Sequence, residues 1–233
     1  MTLTFVISTF QATKILLDRA KTRKLQEEML QYKPTSTGVT QGKNGVEMVN
    51  QDILDLQAIY PNVAGWISID GTEIDYPFVR SADNNEYLRH NLKREHSMAG
   101  TIFVDYRCEE DFSGVNTILY GHHMKDGSMF ASMKWFEDVE FFCTNVTGVI
   151  YLPRKTLHLE ILALVVSKAD DENIYGLNAE TNEKQEEYLA YIKENARYYR
   201  DVEPLPGERY ITLSTCSYEA DDARMVLICR IKP

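Results

Sequence analysis

A thiol and a guanidinium lie close together near the C-terminus, in a pattern suited to acyl chemistry. The segment YITLSTC, residues 210–216, is rich in β-branched and apolar residues and predicts a strand that ends at Cys216. A polar stretch then predicts a turn, and strand character resumes at Arg224. Because paired strands lie about 4.8 Å apart, the guanidinium can reach the region above the sulfur. A cysteine nucleophile needs a proton-transfer partner, and an arginine can stabilise the oxyanion.

The expected partner is a histidine that follows another predicted strand. The segment NTILYGHHM, residues 116–124, is a β-rich run that ends in Gly121 and His122. His123 follows directly, and the residues alone do not exclude it. Since alternate residues of a strand point to opposite faces, the two rings would face opposite sides.

The segments TLSTC and YGHH, together with Arg224, resemble those of the sortases, and in detail those of class B. The resemblance covers roughly residues 50–233. It implies a mainly β fold, a closed seven- to eight-stranded β-barrel with N-terminal helices and a helix-bearing insertion before the cysteine strand. It also implies an active site made of His122, Cys216 and Arg224, with the catalytic histidine directly after Gly121.

By this resemblance the protein is a cysteine transpeptidase. It is expected to cleave a C-terminal sorting signal of surface proteins, NPxT-like or related, after Thr through a thioacyl-enzyme. The acceptor would be the amine of a peptidoglycan precursor or cross-bridge peptide, and no cofactor would be needed. The implied location is the extracellular face of the membrane of a Gram-positive bacterium, held there by an N-terminal anchor.

Several further residues are expected to contact the substrate or its oxyanion. Ser214 lies two residues before Cys216 and therefore on the same strand face, and the backbone N–H of Ser217 is a second possible oxyanion donor. The resemblance adds two pairs. Asn84 and Leu88 are spaced as on one helical face, and Ile174 and Tyr175 lie in the insertion that would form a wall of the substrate groove, unless that insertion is only a solvated cover.

Composition excludes several classes of function. A net charge of −10 argues against a nucleic-acid partner. The four cysteines form no CxxC pair, so a zinc site is not expected. Cys143 and Cys229 lie in apolar segments and are predicted to be buried free thiols.

The chain divides into three predicted segments: an N-terminal helix at 1–33, a linker at 34–45 rich in Gly, Ser and Thr, and a catalytic domain at 46–233. Residues 1–17 are apolar but interrupted, and they fall short of the about 20 apolar residues that cross a bilayer. They resemble the inner end of a membrane anchor, and a packed or interfacial helix is the alternative.

Local patterns predict the elements that position the site. A helix is expected at 52–60 with Asp52 as N-cap, a hairpin with its turn at Asp70 and Gly71, a loop at 170–180, and a helix at 181–201 capped by Thr181. An apolar stripe after His123 is predicted to pack in the core; its members are Met129, Met133 and Phe136.

Three alternatives stay open at the level of the sequence. The first is a pilin-polymerising sortase, whose acceptor is a lysine of another subunit. The second is a non-catalytic surface-binding barrel in which Cys216 is buried, and the third is a cysteine hydrolase that does not use an amine acceptor.

Overall fold

A computed structural model describes residues 2–35, 39–41, 48–177, 182–203, 207–216 and 222–233. The α-helices of this part are α1 (Thr2–Leu30), α2 (Gln51–Ile59), α3 (Val139–Thr144), α4 (Glu172–Tyr175) and α5 (Asn182–Asn195), and 3-10 helices span Glu86–Leu88 and Ala131–Glu137. The strands are β1 (Val39–Gln41), β2 (Met48–Asn50), β3 (Val63–Ile69), β4 (Asp75–Arg80), β5 (Ile102–Val104), β6 (Asn116–Tyr120), β7 (Thr147–Leu152), β8 (Lys155–Lys168), β9 (Ala196–Tyr199), β10 (Tyr210–Cys216) and β11 (Ala223–Ile231).

Strand pairing closes the sheet into a barrel. In the described part of the chain, eight strands follow one another in the order β11, β10, β6, β5, β4, β3, β7 and β8, and β8 pairs back to β11. The β10–β6 and β4–β5 pairs are parallel. The short strand β9 continues along the edge of β8 beyond the point where β7 ends. The predicted closed β-barrel is therefore confirmed.

The barrel interior is filled by large apolar side chains. Along β7, buried residues alternate with partly exposed ones, as expected for a strand with one face toward the core. In β11, by contrast, seven of the nine residues are buried. The stripe after His123 is in the core as predicted, with Met129, Met133 and Phe136 all buried.

The C-terminal end of the N-terminal helix, α1, packs against the barrel. Met29 of α1 is only 3% exposed and belongs to a cluster with Ile53 and Leu56 of α2 and Trp66 of β3. Among the described helices, none is both long enough and apolar enough to cross a membrane. The small β1–β2 sheet begins inside the stretch predicted as a linker, and the division into three segments stays a prediction.

Three local predictions need correction. Helix α2 begins at Gln51 with Asn50 as N-cap, so Asp52 lies inside the first turn. The stretch predicted as a loop at 170–180 contains α4, whose start is capped when the side chain of Asp171 accepts from the Asn173 N–H. The following helix ends at Asn195 rather than at residue 201, because residues 196–199 pair with β8 instead. Thr181, the predicted cap of that helix, lies outside the described residues.

Candidate active site

The proposed nucleophile strand has a proposed catalytic neighbour on each side. On one side, β10 runs parallel to β6, with Ser214 opposite Tyr120. The N–H of Gly121 donates to the Ser214 carbonyl at 3.1 Å, which carries the pairing one residue beyond β6. Continuing this register by one more residue sets His122 level with Cys216.

On the other side, β10 runs antiparallel to β11, and Cys216 is directly opposite Arg224. Directly opposed residues of an antiparallel pair lie on the same face of the sheet. Cys216 and Arg224 are therefore paired positions of β10 and β11, and His122 follows two residues after the end of β6, the strand on the other side of β10. The guanidinium of Arg224 is partly buried, and its Nη1 donates to the Ala223 carbonyl at 3.3 Å.

The ring of His122 is oriented by a main-chain carbonyl. Its Nε2 lies 2.8 Å from the carbonyl oxygen of Leu88. A carbonyl oxygen only accepts hydrogen bonds, so Nε2 must carry the proton in this arrangement. In the neutral ring, Nδ1 is then the nitrogen that can take a proton from a thiol or an incoming amine.

Gly121 is required by a close contact. A Cβ at this position would lie 2.7 Å from the ring of Phe130, and the Phe130 N–H in turn donates to the His122 carbonyl at 3.0 Å. The Gly-His sequence therefore reflects packing as well as chemistry: the absence of a side chain lets Phe130 hold the main chain of His122.

His123 makes a different contact from its neighbour. It forms a single antiparallel bridge with Met129, which closes the loop that follows the site.

The expected substrate-contact residues lie in different environments. Ser214 is buried, and its hydroxyl is 2.8 Å from the hydroxyl of Tyr175 on α4. Tyr175 itself is only 7% exposed and Ile174 is fully buried, so their burial gives no support to direct substrate contact. Ser217 lies outside the described residues.

Asn84 and Leu88 do not share a helical face, because the helical segment is only the 3-10 turn Glu86–Leu88. The Asn84 side chain accepts from the Tyr106 N–H at 3.1 Å, and Leu88 is 36% exposed next to His122. The prediction from their spacing was therefore wrong about geometry, although Leu88 does lie beside the site.

A cleft of about 1160 Å³ runs between the segment after β5 and the helices α4 and α5. Arg107, Tyr120 and Tyr175 line one end of it, and Asp170, Glu187 and Tyr191 line other parts. The insertion thus forms one wall of an open cleft, whose lining includes neither His122 nor Arg224. In the described residues, no group of three or more His, Cys, Asp or Glu side chains could hold a metal ion.

The other three cysteines are free thiols in contrasting settings. Cys108 and Cys229 are buried, and burial raises the pKa of both thiols, that of Cys108 to about 11. Cys143 was predicted to be buried, but it is exposed, because α3 turns Phe142 rather than Cys143 toward the core.

Comparison with known proteins gives a consistent result. The chain is 39% identical over 195 residues to sortase B of Listeria monocytogenes, covering 83% of this chain and 78% of that protein. The structure matches sortase B of Bacillus anthracis with a TM-score of 0.79 and 31% identity, covering 93% of this chain and 99% of the other. It matches a Streptococcus pyogenes class B sortase involved in pilus biogenesis with a TM-score of 0.69 and 30% identity, over 76% and 96% of the two chains.

No family model matches the chain. The identity to the Listeria protein extends over most of both sequences, and the barrel matches solved class B structures over most of its length. This chain belongs to the class B sortases, and it is a cysteine transpeptidase.

Proposed function

We propose that Cys216 is the nucleophile, His122 the proton-transfer residue and Arg224 the oxyanion-stabilising residue of this transpeptidase. The observation that carries the proposal is that Cys216 is directly opposite Arg224, while His122 follows two residues after the end of β6, which pairs with the other side of β10. No other described cysteine has a histidine and an arginine at neighbouring register positions, and Cys108 and Cys229 are buried.

The reaction would begin when the Cys216 thiol gives its proton to His122 and the sulfur attacks the carbonyl carbon of the scissile peptide bond. The C–N bond then breaks, His122 gives a proton to the leaving amine, and a thioester joins the substrate to the enzyme. An incoming amine attacks the thioester and gives its proton to His122, the C–S bond breaks, and His122 passes the proton to the departing sulfur to restore the thiol. Arg224 is permanently charged and presents several N–H donors, so it would hold the carbonyl oxygen as negative charge develops.

Membership of the family implies that the substrates are surface proteins with sorting signals and that the acceptor is an amine. It also implies that the enzyme acts at the surface of a Gram-positive cell. We propose more narrowly an NPxT-like signal cut after Thr, transfer to the amine of a peptidoglycan precursor or cross-bridge peptide, and a position at the outer face of the membrane. An N-terminal membrane anchor has no support in the described helices.

Among the expected substrate residues, Leu88, Asn84 and Ser214 remain candidates. Leu88 is partly exposed beside His122, and Ser214 is two positions before Cys216 on the same strand face. The Ser217 N–H stays a proposed second oxyanion donor. Ile174 and Tyr175 would act on the substrate only indirectly, since both are buried.

The test is product analysis by mass spectrometry with a library of sorting-signal peptides, with and without added amines. Wild-type enzyme should form an amide with diaminopimelate or a glycine peptide, whereas Cys216→Ala should form none. Cys143→Ala is the matched control, because it removes an exposed thiol outside the proposed site. Turnover by Cys216→Ala would refute the assignment.

The same experiment separates the alternatives. A pilin-polymerising enzyme would prefer the side-chain amine of a lysine peptide, and a hydrolase would release acid whether or not an amine is present. A binding module would give no product with any peptide.

A further inference from the structure

An ion pair between a buried carboxylate, Asp105, and an exposed guanidinium, Arg107, lies directly after β5, next to the proposed catalytic strands. Asp105 is completely buried, and its carboxylate receives two hydrogen bonds from the Arg107 guanidinium, Nε to Oδ1 at 2.9 Å and Nη2 to Oδ2 at 2.7 Å. The Arg107 N–H also donates to Oδ1 at 2.9 Å. This two-pronged geometry fixes the orientation of both side chains.

The pair is connected to the strand that leads to His122. The hydroxyl of Tyr120 donates to Asp105 Oδ2 at 3.0 Å, and Tyr120 is two residues before His122. Because Tyr120 closes β6 and is opposite Ser214, any shift of its ring is transmitted to the main chain at the end of the strand.

The pair is also connected to the strand that carries Cys216. Arg107 Nη2 is 3.4 Å from the Tyr175 carbonyl, and the Tyr175 hydroxyl is 2.8 Å from the Ser214 hydroxyl, two residues before Cys216. The rings of Tyr120 and Tyr175 stack with centroids 6.3 Å apart. Two branches therefore leave one ion pair and end at equivalent positions, each two residues before a proposed catalytic residue.

Electrostatics favours the charged form of this pair. Burial raises the pKa of the Asp105 carboxyl, but the hydrogen bonds and charge of Arg107 lower it further, so its pKa lies below the usual value. Burial and the negative charge of Asp105 raise the pKa of Tyr120, which keeps its hydroxyl protonated as a donor. A buried carboxylate that lost its partner would be strongly destabilised, so the pair resists rearrangement.

We propose that Asp105 and Arg107 are positioning residues for transpeptidation, which fix the Tyr120 side chain at the end of the His122 strand and hold α4 against Ser214 on the Cys216 strand. Neither residue touches the reacting atoms in this scheme; both act through Tyr120 and Tyr175. This inference rests on the proposed function, since it takes His122 and Cys216 as the groups that are positioned.

Asp105→Asn keeps the size of the side chain and removes its charge, which weakens both N–H contacts from Arg107. Because small displacements of reacting groups lower rates steeply, kcat of the folded enzyme should fall about tenfold or more. Tyr120→Phe removes the hydroxyl that donates to Asp105 but keeps the ring stack. It should therefore lower kcat less than Asp105→Asn does. Since both changes interrupt one path, the double variant should lose less than the product of the two single effects.

Arg107→Lys tests the geometry of the pair. Lysine keeps the positive charge but presents no planar fork, so it should recover only part of the activity that Arg107→Ala loses. A purely electrostatic role would instead be restored fully by lysine.

Glu160→Gln is the matched control for the loss of a partly buried ion pair. Glu160 pairs with Arg230, which is opposite Tyr210 at the far end of β10. This variant should lower thermal stability while kcat per folded molecule changes less than about twofold, because the change lies far from the positioned groups.

Kinetics should be measured at a temperature where circular dichroism shows each variant fully folded. Equal kcat values for Asp105→Asn and Glu160→Gln, or strictly multiplicative effects of Asp105→Asn and Tyr120→Phe, would overturn the positioning role. If Asp105→Asn does not fold, a wild-type kcat for Tyr120→Phe would overturn the positioning role instead. Failure of the proposed function is distinguishable, because it would appear as activity in Cys216→Ala.

Discussion

The imidazole Nε2 of His122 lies 2.8 Å from the main-chain carbonyl oxygen of Leu88, a residue 34 positions earlier in the chain. In enzymes with a catalytic triad, a carboxylate orients the histidine and stabilises its charged form. A carbonyl orients the ring in the same way but carries no formal charge. The ring can therefore be held in one tautomer by a group that does not titrate.

We predict that neutral His122 is protonated at Nε2. A natural internal control is His90, whose Nδ1 lies 2.7 Å from the Glu86 carbonyl and should carry the proton instead. Nitrogen-15 NMR of labelled protein distinguishes the two tautomers by the chemical shifts of the ring nitrogens. Finding the same tautomer in both residues would contradict the arrangement.

Gly121→Ala should damage both stability and activity. The added methyl group would approach the Phe130 ring to 2.7 Å, and Phe130 also holds the His122 carbonyl. Overpacking of this kind costs about 1–3 kcal/mol, and movement of Phe130 would displace the main chain of His122, the proposed proton-transfer residue. Thermal unfolding and kcat measure the two effects.

Gly114→Ala is the control for this change. A Cβ at Gly114 meets only the Glu109 side chain at 3.7 Å, an ordinary contact. Its unfolding temperature should stay near that of the wild type. An equally small effect at Gly121 would show that the Phe130 contact does not require glycine.

The strands of the site could be predicted because their signals are local. The runs before Gly121 and through Cys216 are rich in β-branched, aromatic and apolar residues, and both form strands as predicted. The position of Arg224 opposite Cys216 followed from the antiparallel pairing of β10 with β11. The strand pairing agrees with these local patterns, and the roles of His122, Cys216 and Arg224 stay a prediction.

What could not be predicted depends on contacts distant in sequence. Residues 196–199 continue a helical pattern, but the edge of β8 beyond β7 is free to pair with them, and sheet pairing overrides local propensity. Asp105 and Arg107 were not singled out, because the local sequence does not show what their side chains contact. Only the fold shows that Tyr120 and the α4 carbonyl meet this pair.

Native thiol labelling should separate the cysteines by burial. Near neutral pH, iodoacetamide should modify Cys143, which is exposed, and Cys216 under the proposed function, while Cys108 and Cys229 react only after unfolding. Peptide mass spectrometry with and without urea measures this pattern. Modification of Cys229 in the native protein at its unfolded rate would contradict it.

Alkaline pH should weaken the fold through the Cys108 thiol. Burial raises its pKa from an ordinary value of 9.0 to about 11. The pKa of Cys108 is thus higher in the folded than in the unfolded state. The stabilisation of the fold by the neutral thiol is therefore complete below pH 9.0 and is lost as the pH rises through about 11. The free energy of unfolding, measured in urea, should fall across this interval, and Cys108→Ser should shift the fall because a serine hydroxyl does not titrate there.

Met29 should anchor α1 to the barrel. Its side chain is 3% exposed among Ile53, Leu56 and Trp66, whereas the adjacent Leu30 is 52% exposed. Met29→Ala removes buried apolar contacts and leaves a cavity, which costs about 2–5 kcal/mol. Leu30→Ala removes a side chain of similar size from a solvent-exposed site and should change the free energy of unfolding by less than about 0.5 kcal/mol. Urea unfolding of the two variants gives the comparison directly, and equal losses would mean that α1 does not pack on the barrel through Met29.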